Sequence, residues 1–381
     1  MTPRRVLLFY PPNKRSVAIE TLCRTVSESG NELIVLTLAE RGSLHGALEK
    51  YGIKTFTYPS IGKRSWKYFR FYKQSRYLIR FCRQNNIDIV WSHLQEGNII
   101  ALMAQPFLKA QLILFRHHAE SAFYAEFGRT MNMKRNRGEV LLDKIINRFG
   151  KTIVIPSSGV WYGMEKYEKC NMKKVKLLPY IYDFTSYQHP DEEKVKLLRQ
   201  QYPCRLLLIM VSRMIVSKQH MPVFEIVKKL FDEGMSIKMM VMDDGQLRPQ
   251  LEEFIKNNSL QDHIFLTGHR EDFISYMAAA DLLIHPSVTE ASNNVVKEMG
   301  LLKKAVAVCS NVGDFSDYII EDGNGYFLEN DNLSGSIERV LRGAYSNPEK
   351  LKRIGQALHE DVIKRFSDSI ENRQRFLGLL N

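Results

Sequence analysis

Long apolar runs are absent from this 381-residue chain; nothing approaches the ~18 consecutive apolar residues that a membrane-spanning helix needs. Val6–Tyr10, which follows Met1–Arg5, is too short to be the apolar core of a signal peptide, so the expected location is cytoplasmic. Cysteine is scarce. Cys23, Cys82, Cys170, Cys204 and Cys309 are odd in number and scattered, and no C-x-x-C pair occurs, which excludes the common zinc and redox patterns and leaves reduced thiols. No internal repeat and no low-complexity segment is present.

Acid is missing where base is densest. Between Lys50 and Ile87 the chain carries Lys50, Lys54, Lys63, Arg64, Lys67, Arg70, Lys73, Arg76, Arg80 and Arg83 with no Asp or Glu, and this span supplies most of the formal net charge of +12. On a helix from about Ser65 to Gln84, Tyr68, Phe71, Tyr72, Leu78, Ile79 and Cys82 share one face, leaving Trp66, Phe69 and Tyr77 among the bases. Cations interleaved with exposed aromatics suit an anionic membrane surface, each cation contributing about 1 kcal/mol. A solvated basic helix and a nucleic-acid patch are the competing readings. The membrane reading predicts peripheral binding on the inner face of the membrane, bringing the site to a lipid-linked acceptor, with no nucleic-acid partner.

The most informative stretch is Ile284–Glu298, IHPSVTEASNNVVKE. The apolar run Leu282–Ile284 reads as a strand, and Ser292, Asn293 and Asn294 offer N-caps for a helix carrying Val295, Val296 and Glu298. Backbone amides near Asn294 and Val295 then lie at the positive end of a helix, which favours a bound diphosphate. Glu290 stays on the loop, where a carboxylate accepts hydroxyl hydrogen bonds from a sugar, and Glu298 lies about one turn inside the helix. In the plainer reading, Glu290 is a cap and Glu298 a solvated helix residue. A second apolar strand, Arg205–Val211, is followed by Arg213 and Lys218. A forked donor and a point charge on one loop suit the negative charge that develops on a departing diphosphate; ordinary surface bases are the alternative.

These segments, with Met239–Arg248, Phe265–Ala280 and Gly323–Leu328 in the same order, resemble the retaining glycosyltransferases of family 4, whose architecture is GT-B: two Rossmann-like α/β domains facing across a cleft, with a C-terminal helix crossing back to the first. The resemblance is specific from about residue 205 to 330. Asn294, Val295 and Val296 match the family's E-G-F-P-N-V-V-x-E-A wording, whereas Ala291, Ser292, Asn293 and Met299 depart from it in the sugar pocket. The resemblance implies that Glu290 holds the donor sugar's hydroxyls, that Glu298 reaches the ribose, and that Arg213 and Lys218 bind the diphosphate. It places Gly268 close to the nucleotide base, with Thr267 and His269 edging that pocket. It also implies a nucleotide-sugar donor, a UDP-sugar, with a hexosyl or N-acetylhexosaminyl group, a glycan or lipid-linked acceptor, and no cofactor or metal. Asp243-Asp244 has no His or Glu partner spaced to complete a metal site.

Length points the same way, since 381 residues exceed the ~250–300 at which one core splits. Val6–Tyr10, Ser16–Ser29, Leu33–Leu38, Leu44–Tyr51, Ile87–Ser92 and Leu112–Phe115 alternate between strand and helix, which predicts a parallel sheet. The loop Pro11–Ser16 replaces the family's Gly-Gly turn with two prolines and two bases. After Leu112–Phe115 comes Arg116-His117-His118, and the resemblance suggests that His117 faces the donor sugar. Lys176–Asp183 resembles the family's approach to its linker. The expected division is an acceptor-side domain over 1–182, a donor domain over 183–360 and a crossover helix over 361–381, with Phe366, Ile370, Phe376 and Leu379 available for packing. A sugar-nucleotide epimerase of the same shape and a non-catalytic basic polyanion-binding protein remain as rivals.

Overall fold

The computed structural model describes residues 3–59, 67–119, 124 and 137–380. It divides into two compact units, Met1–Ser186 with Phe366–Asn381, and Tyr187–Arg365. In the first, β1 (Arg5–Phe9), β2 (Glu32–Thr37), β3 (Lys54–Thr57), β4 (Ile89–His93), β5 (Gln111–Phe115), β6 (Ile153–Ile155) and β7 (Val175–Leu177) form a parallel sheet in the order β3-β2-β1-β4-β5-β6-β7. Successive side chains of a strand point to opposite faces, and here both directions are apolar. Leu7 and Phe9 join Ile34, Leu36 and Val90 on one face, while Val6 and Leu8 join Leu33, Val35, Ile89 and Trp91 on the other. A continuous apolar strand is the mark of a sheet covered on both sides. The short strands Lys54–Thr57, Ile153–Ile155 and Val175–Leu177 escape the sequence reading, because three or four residues carry too little pattern to stand out.

The second unit repeats the plan. β8 (Leu206–Val211), β9 (Ile237–Met242), β10 (Ile264–Gly268), β11 (Leu282–His285), β12 (Ala305–Cys309) and β13 (Tyr326–Leu328) form a parallel sheet in the order β10-β9-β8-β11-β12-β13. In each sheet the chain winds one way from the central strand and then returns to wind the other way. The direction reverses between β1 and β4 and again between β8 and β11. At such a switch point the loops leaving the strand ends diverge, and the crevice between them is where open α/β sheets take ligands.

The crossover helix expected over 361–381 is not continuous. A helix over Pro348–Phe366 stops, and a second, Ile370–Leu377, starts from Ser369, whose hydroxyl caps Asn372 N–H. Phe366 O accepts from Tyr182 N–H at 2.8 Å, and Phe376, Leu379 and Leu380 enter the core beside Ile19, Leu22 and Val26. Ile370 does not pack; it is 77% exposed, because the break turns it outward.

The basic helix spans Lys67–Gln84, and Trp66, Lys63 and Arg64 lie outside the described residues. Phe71, Leu78, Phe81 and Cys82 are buried at helical spacing. Tyr72 is exposed rather than buried, being one position off that stripe, and Tyr77 leans back on the core in edge contact with Tyr58 at 5.1 Å. Phe69 is exposed among the bases as expected.

Replacing the buried Phe376 by alanine removes the anchor of the returning tail. The expected loss is about 3–5 kcal/mol, read as a lower urea midpoint of the transition that reports the first unit.

Candidate functional site

At the switch point of the second sheet, the loop after β8 is stitched to the loop after β11. Val288 N–H donates to Ser217 O at 3.1 Å, Gln219 Nε2 to Pro286 O at 2.8 Å, and Lys218 Nζ to Ser287 Oγ at 3.0 Å. Gln219 takes up a left-handed backbone, φ 50°, at the turn into the helix His220–Asp232. These contacts bring Lys218 Nζ to 2.5 Å from Glu290 Oε1, each side chain only 13% exposed. His285, the last residue of β11, places Nε2 at 2.8 Å from the same oxygen. A carboxylate only accepts, so that nitrogen carries the proton. Burial alone would raise the Glu290 carboxyl, but the His285 hydrogen bond and the Lys218 charge reverse this and hold it well below the usual carboxylate range.

The helix that follows runs over Asn294–Leu301 and is capped by Asn293, whose side-chain oxygen accepts from Val296 N–H at 3.0 Å. Asn294 is exposed and Val295 half-buried at its first turn. Behind them sits an ion pair invisible in the motif: Lys297, fully buried, donates to Asp314 Oδ2 at 2.8 Å, to Ser292 Oγ at 2.9 Å and to Asn293 O at 2.9 Å. Gly313, at φ +55°, backs directly onto Glu290; a Cβ there would meet the Glu290 Cβ at 2.9 Å. Glu298 is buried, not solvated, and burial pushes its carboxyl up to about 7 against the opposing charge of Lys297.

Arg213 is exposed on the β8 loop and makes no ion pair among the described residues. Its neighbour Met214 is held by the turn after β9, accepting from Leu247 N–H at 3.0 Å and donating to Asp244 O at 2.9 Å. Gly245 packs against that backbone so closely that a Cβ would lie 2.5 Å from Met214 O. Asp243 stands in a left-handed conformation, φ 89°, and its N–H donates to Gly268 O at 3.1 Å. Gly268 itself has φ +69°, and a Cβ there would come into ordinary contact with Arg248 Nη1 at 3.8 Å; His269 beside it is exposed.

His117 belongs to the first unit. Both of its ring nitrogens are engaged there, Nε2 with His93 Nδ1 at 3.3 Å and Nδ1 with the Tyr180 hydroxyl. Burial, reinforced by His118, pushes its imidazole down to about 3, so it is neutral. It lines a pocket of about 230 Å³ with Leu94, Gln95, Arg116, His118, Glu139 and Asp143. Arg116 is buried and pairs with Glu168 and, at 2.8 Å, with Asp143. Leu94 is left-handed, φ 65°, an uncommon conformation for so bulky a residue, directly after the β4 end.

Residues 192–361 match the family described as glycosyl transferases group 1. A poly(ribitol-phosphate) alpha-N-acetylglucosaminyltransferase of Staphylococcus aureus is 22% identical over 172 residues, 45% of this chain and 34% of that protein. A Campylobacter jejuni N-acetylgalactosamine-N,N'-diacetylbacillosaminyl-diphospho-undecaprenol 4-alpha-N-acetylgalactosaminyltransferase is 23% identical over 290 residues, 72% of this chain and 73% of that one. The chain thus spans about a third of the first relative and nearly three quarters of the second. Among solved structures, Anabaena HepE in complex with UDP superposes with a TM-score of 0.77 at 17% identity, covering 99% of both chains. The fold is therefore that of the GT-B glycosyltransferases. Over residues 192–361, less than half of its length, the chain is similar to the group 1 enzymes.

Lys218 and Glu290, expected separately, are brought into contact. Asn294, Val295 and Glu298 follow on the capped helix, Arg213 shares the Lys218 loop, and Gly268 and His269 end the strand two places away. His285, Lys297, Gly313 and Asp314 were missed, since nothing in their own neighbourhoods signals that distant loops will fold against them. Only the glycine in Ser310–Asp314 offered a hint.

Glu298 supplies a pH test. Its folded-state value lies above the ordinary 4.5, so the stability it contributes is complete below that pH and is lost as pH rises through about 7. Glu298→Gln escapes the loss; from about pH 5 to about pH 8 it should gain on the wild type by on the order of 3 kcal/mol in urea denaturation.

Proposed function

We propose that the protein transfers a hexosyl or N-acetylhexosaminyl group from a UDP-sugar to an acceptor hydroxyl with retention of anomeric configuration. The observation that carries the reading is the Lys218–Glu290 contact at the switch point, beside a capped helix start. A cation and a carboxylate side by side match the two ends of a sugar diphosphate, one for the phosphate and one for the hydroxyls. In this reading Arg213 and Lys218 hold the diphosphate and the charge that grows on it, and the amides of Asn294 and Val295 add the helix's positive end. Glu290, kept ionised, accepts from sugar hydroxyls; Glu298 meets the ribose, and Gly268 and His269 border the base. No protein nucleophile is required, because the leaving phosphate oxygen can take the acceptor's proton on the same face. In this reading the second unit, Tyr187–Arg365, is the donor domain where 183–360 was expected, and the first unit, with His117, is the acceptor side. No metal takes part.

The acceptor in this reading is a lipid-linked glycan at an anionic membrane surface, reached by the basic helix. Among the described residues no helix is long and apolar enough to cross a membrane. Exposed Phe69 and Tyr72 stand among Lys73, Arg76 and Arg80 around a groove of about 430 Å³, and the Campylobacter relative carries diphospho-undecaprenol in its name.

Lys218→Ala and Arg213→Ala should each lower turnover by roughly 10²–10³-fold, as removing one transition-state donor does. Glu290→Ala should raise the donor KM. NMR of the product should show the donor's anomeric configuration; near-normal turnover in all three variants, or an epimerised donor formed without acceptor, would end this reading. In liposome flotation the wild type should rise with anionic vesicles at low salt, and Lys73→Glu with Arg76→Glu and Arg80→Glu should abolish that; flotation unchanged by the triple substitution would remove the membrane part alone.

A further inference from the structure

Lys297 and Asp314 form the most deeply buried ion pair of the second unit, each side chain 1% exposed. Taking two charges out of water is expensive, and such a pair is weak evidence for stability by itself. Its partners indicate what it does instead. The ammonium group is shared among Asp314 Oδ2, Ser292 Oγ and Asn293 O, and Ser292 Oγ donates to the same Asp314 oxygen at 2.6 Å. Ser292 and Asn293 lie between Glu290 and the helix start, and Asn293 is the cap itself. On the other side, Gly313 precedes Asp314 and leaves no gap against Glu290 and Ala291 O. The β11 loop is therefore gripped from behind at two consecutive residues and backed by a glycine at a third.

We infer that Lys297 and Asp314 are positioning residues that lock the loop 290–293, so that the Glu290 carboxylate presents the sugar part of the donor site in one fixed arrangement. This rests on the donor-site reading above. Neither residue needs to touch the donor. They act through the Ser292 hydroxyl and the Asn293 carbonyl, at positions where this chain departs from the family's wording.

Substituting one partner alone strands a buried charge, so the test uses the double variant Lys297→Met/Asp314→Leu, which removes both charges and keeps apolar bulk. The probes are UDP and a panel of UDP-glucose, UDP-galactose and their two N-acetylamino counterparts. For the sugar that the wild type transfers, donor kcat/KM should fall at least about 30-fold, while the Kd for UDP alone, held by the Arg213 and Lys218 loop, stays within about threefold. A role in folding alone would move both together or neither. Amide hydrogen exchange across residues 291–296 should quicken by at least about tenfold, with the other strands of the unit unchanged. Donor kcat/KM within about threefold of wild type, UDP affinity falling in step with it, or unchanged exchange over 291–296 would each overturn the inference. If the wild type transfers none of the four sugars, the functional reading fails by itself, and the exchange measurement still decides whether the pair locks the loop.

Discussion

Lys218 and Glu290 meet because β8 and β11 are neighbours in a sheet, although 72 positions separate them along the chain. The arrangement of the second unit's site follows from that adjacency. A largely buried carboxylate on the loop beyond a strand would be protonated unless something opposed its desolvation. Here the lysine opposes it from one loop and His285 from the strand itself. The pair costs side-chain freedom and desolvation, and its return is a charged group held ready at a place that water only partly reaches.

The two units answer the burial problem differently. In the second, ionised groups are organised around backbone: stitched loops, a capped helix, and a lysine reaching two consecutive loop residues. In the first, they are organised around one another. Arg116 is surrounded by Glu168, Asp143, Asn147 and the carbonyl of His118, and burial lifts the Asp143 carboxyl to about 6 even with that guanidinium beside it. This cluster ties down the segment that follows β5, while Tyr180 and His93 grip the adjoining His117. Each sheet thus offers polar groups at its strand ends on a base made almost wholly of apolar side chains.

Much of this architecture was legible before any coordinates. Strands buried on both faces write themselves as unbroken apolar runs, so β1, β2, β8 and β11 were readable, and so were the turn residues after them. Three-residue strands such as Ile153–Ile155 were not, because their identity comes from the strands beside them. The same holds on the basic helix: Tyr72 and Tyr77 exchanged their expected surroundings, since a rotation of one position decides which ring meets the core, and the core's location is not written locally. Of the site, Glu290, Glu298, Arg213 and Lys218 could be named from residue type and order. The burial of Glu298 could not, as a helix shows its inward face only once it is packed.

By itself the sequence determined the α/β repeat, the two-unit plan and the placing of polar residues after particular strands, because these depend on spacing and composition along a few neighbouring positions. Tertiary structure alone decided that Lys218 would lie against Glu290, that His285 would share the same oxygen, and that Lys297 would find Asp314. Those contacts form between loops carried by different strands, and the strand order of the sheet, which no local pattern encodes, chooses the partners.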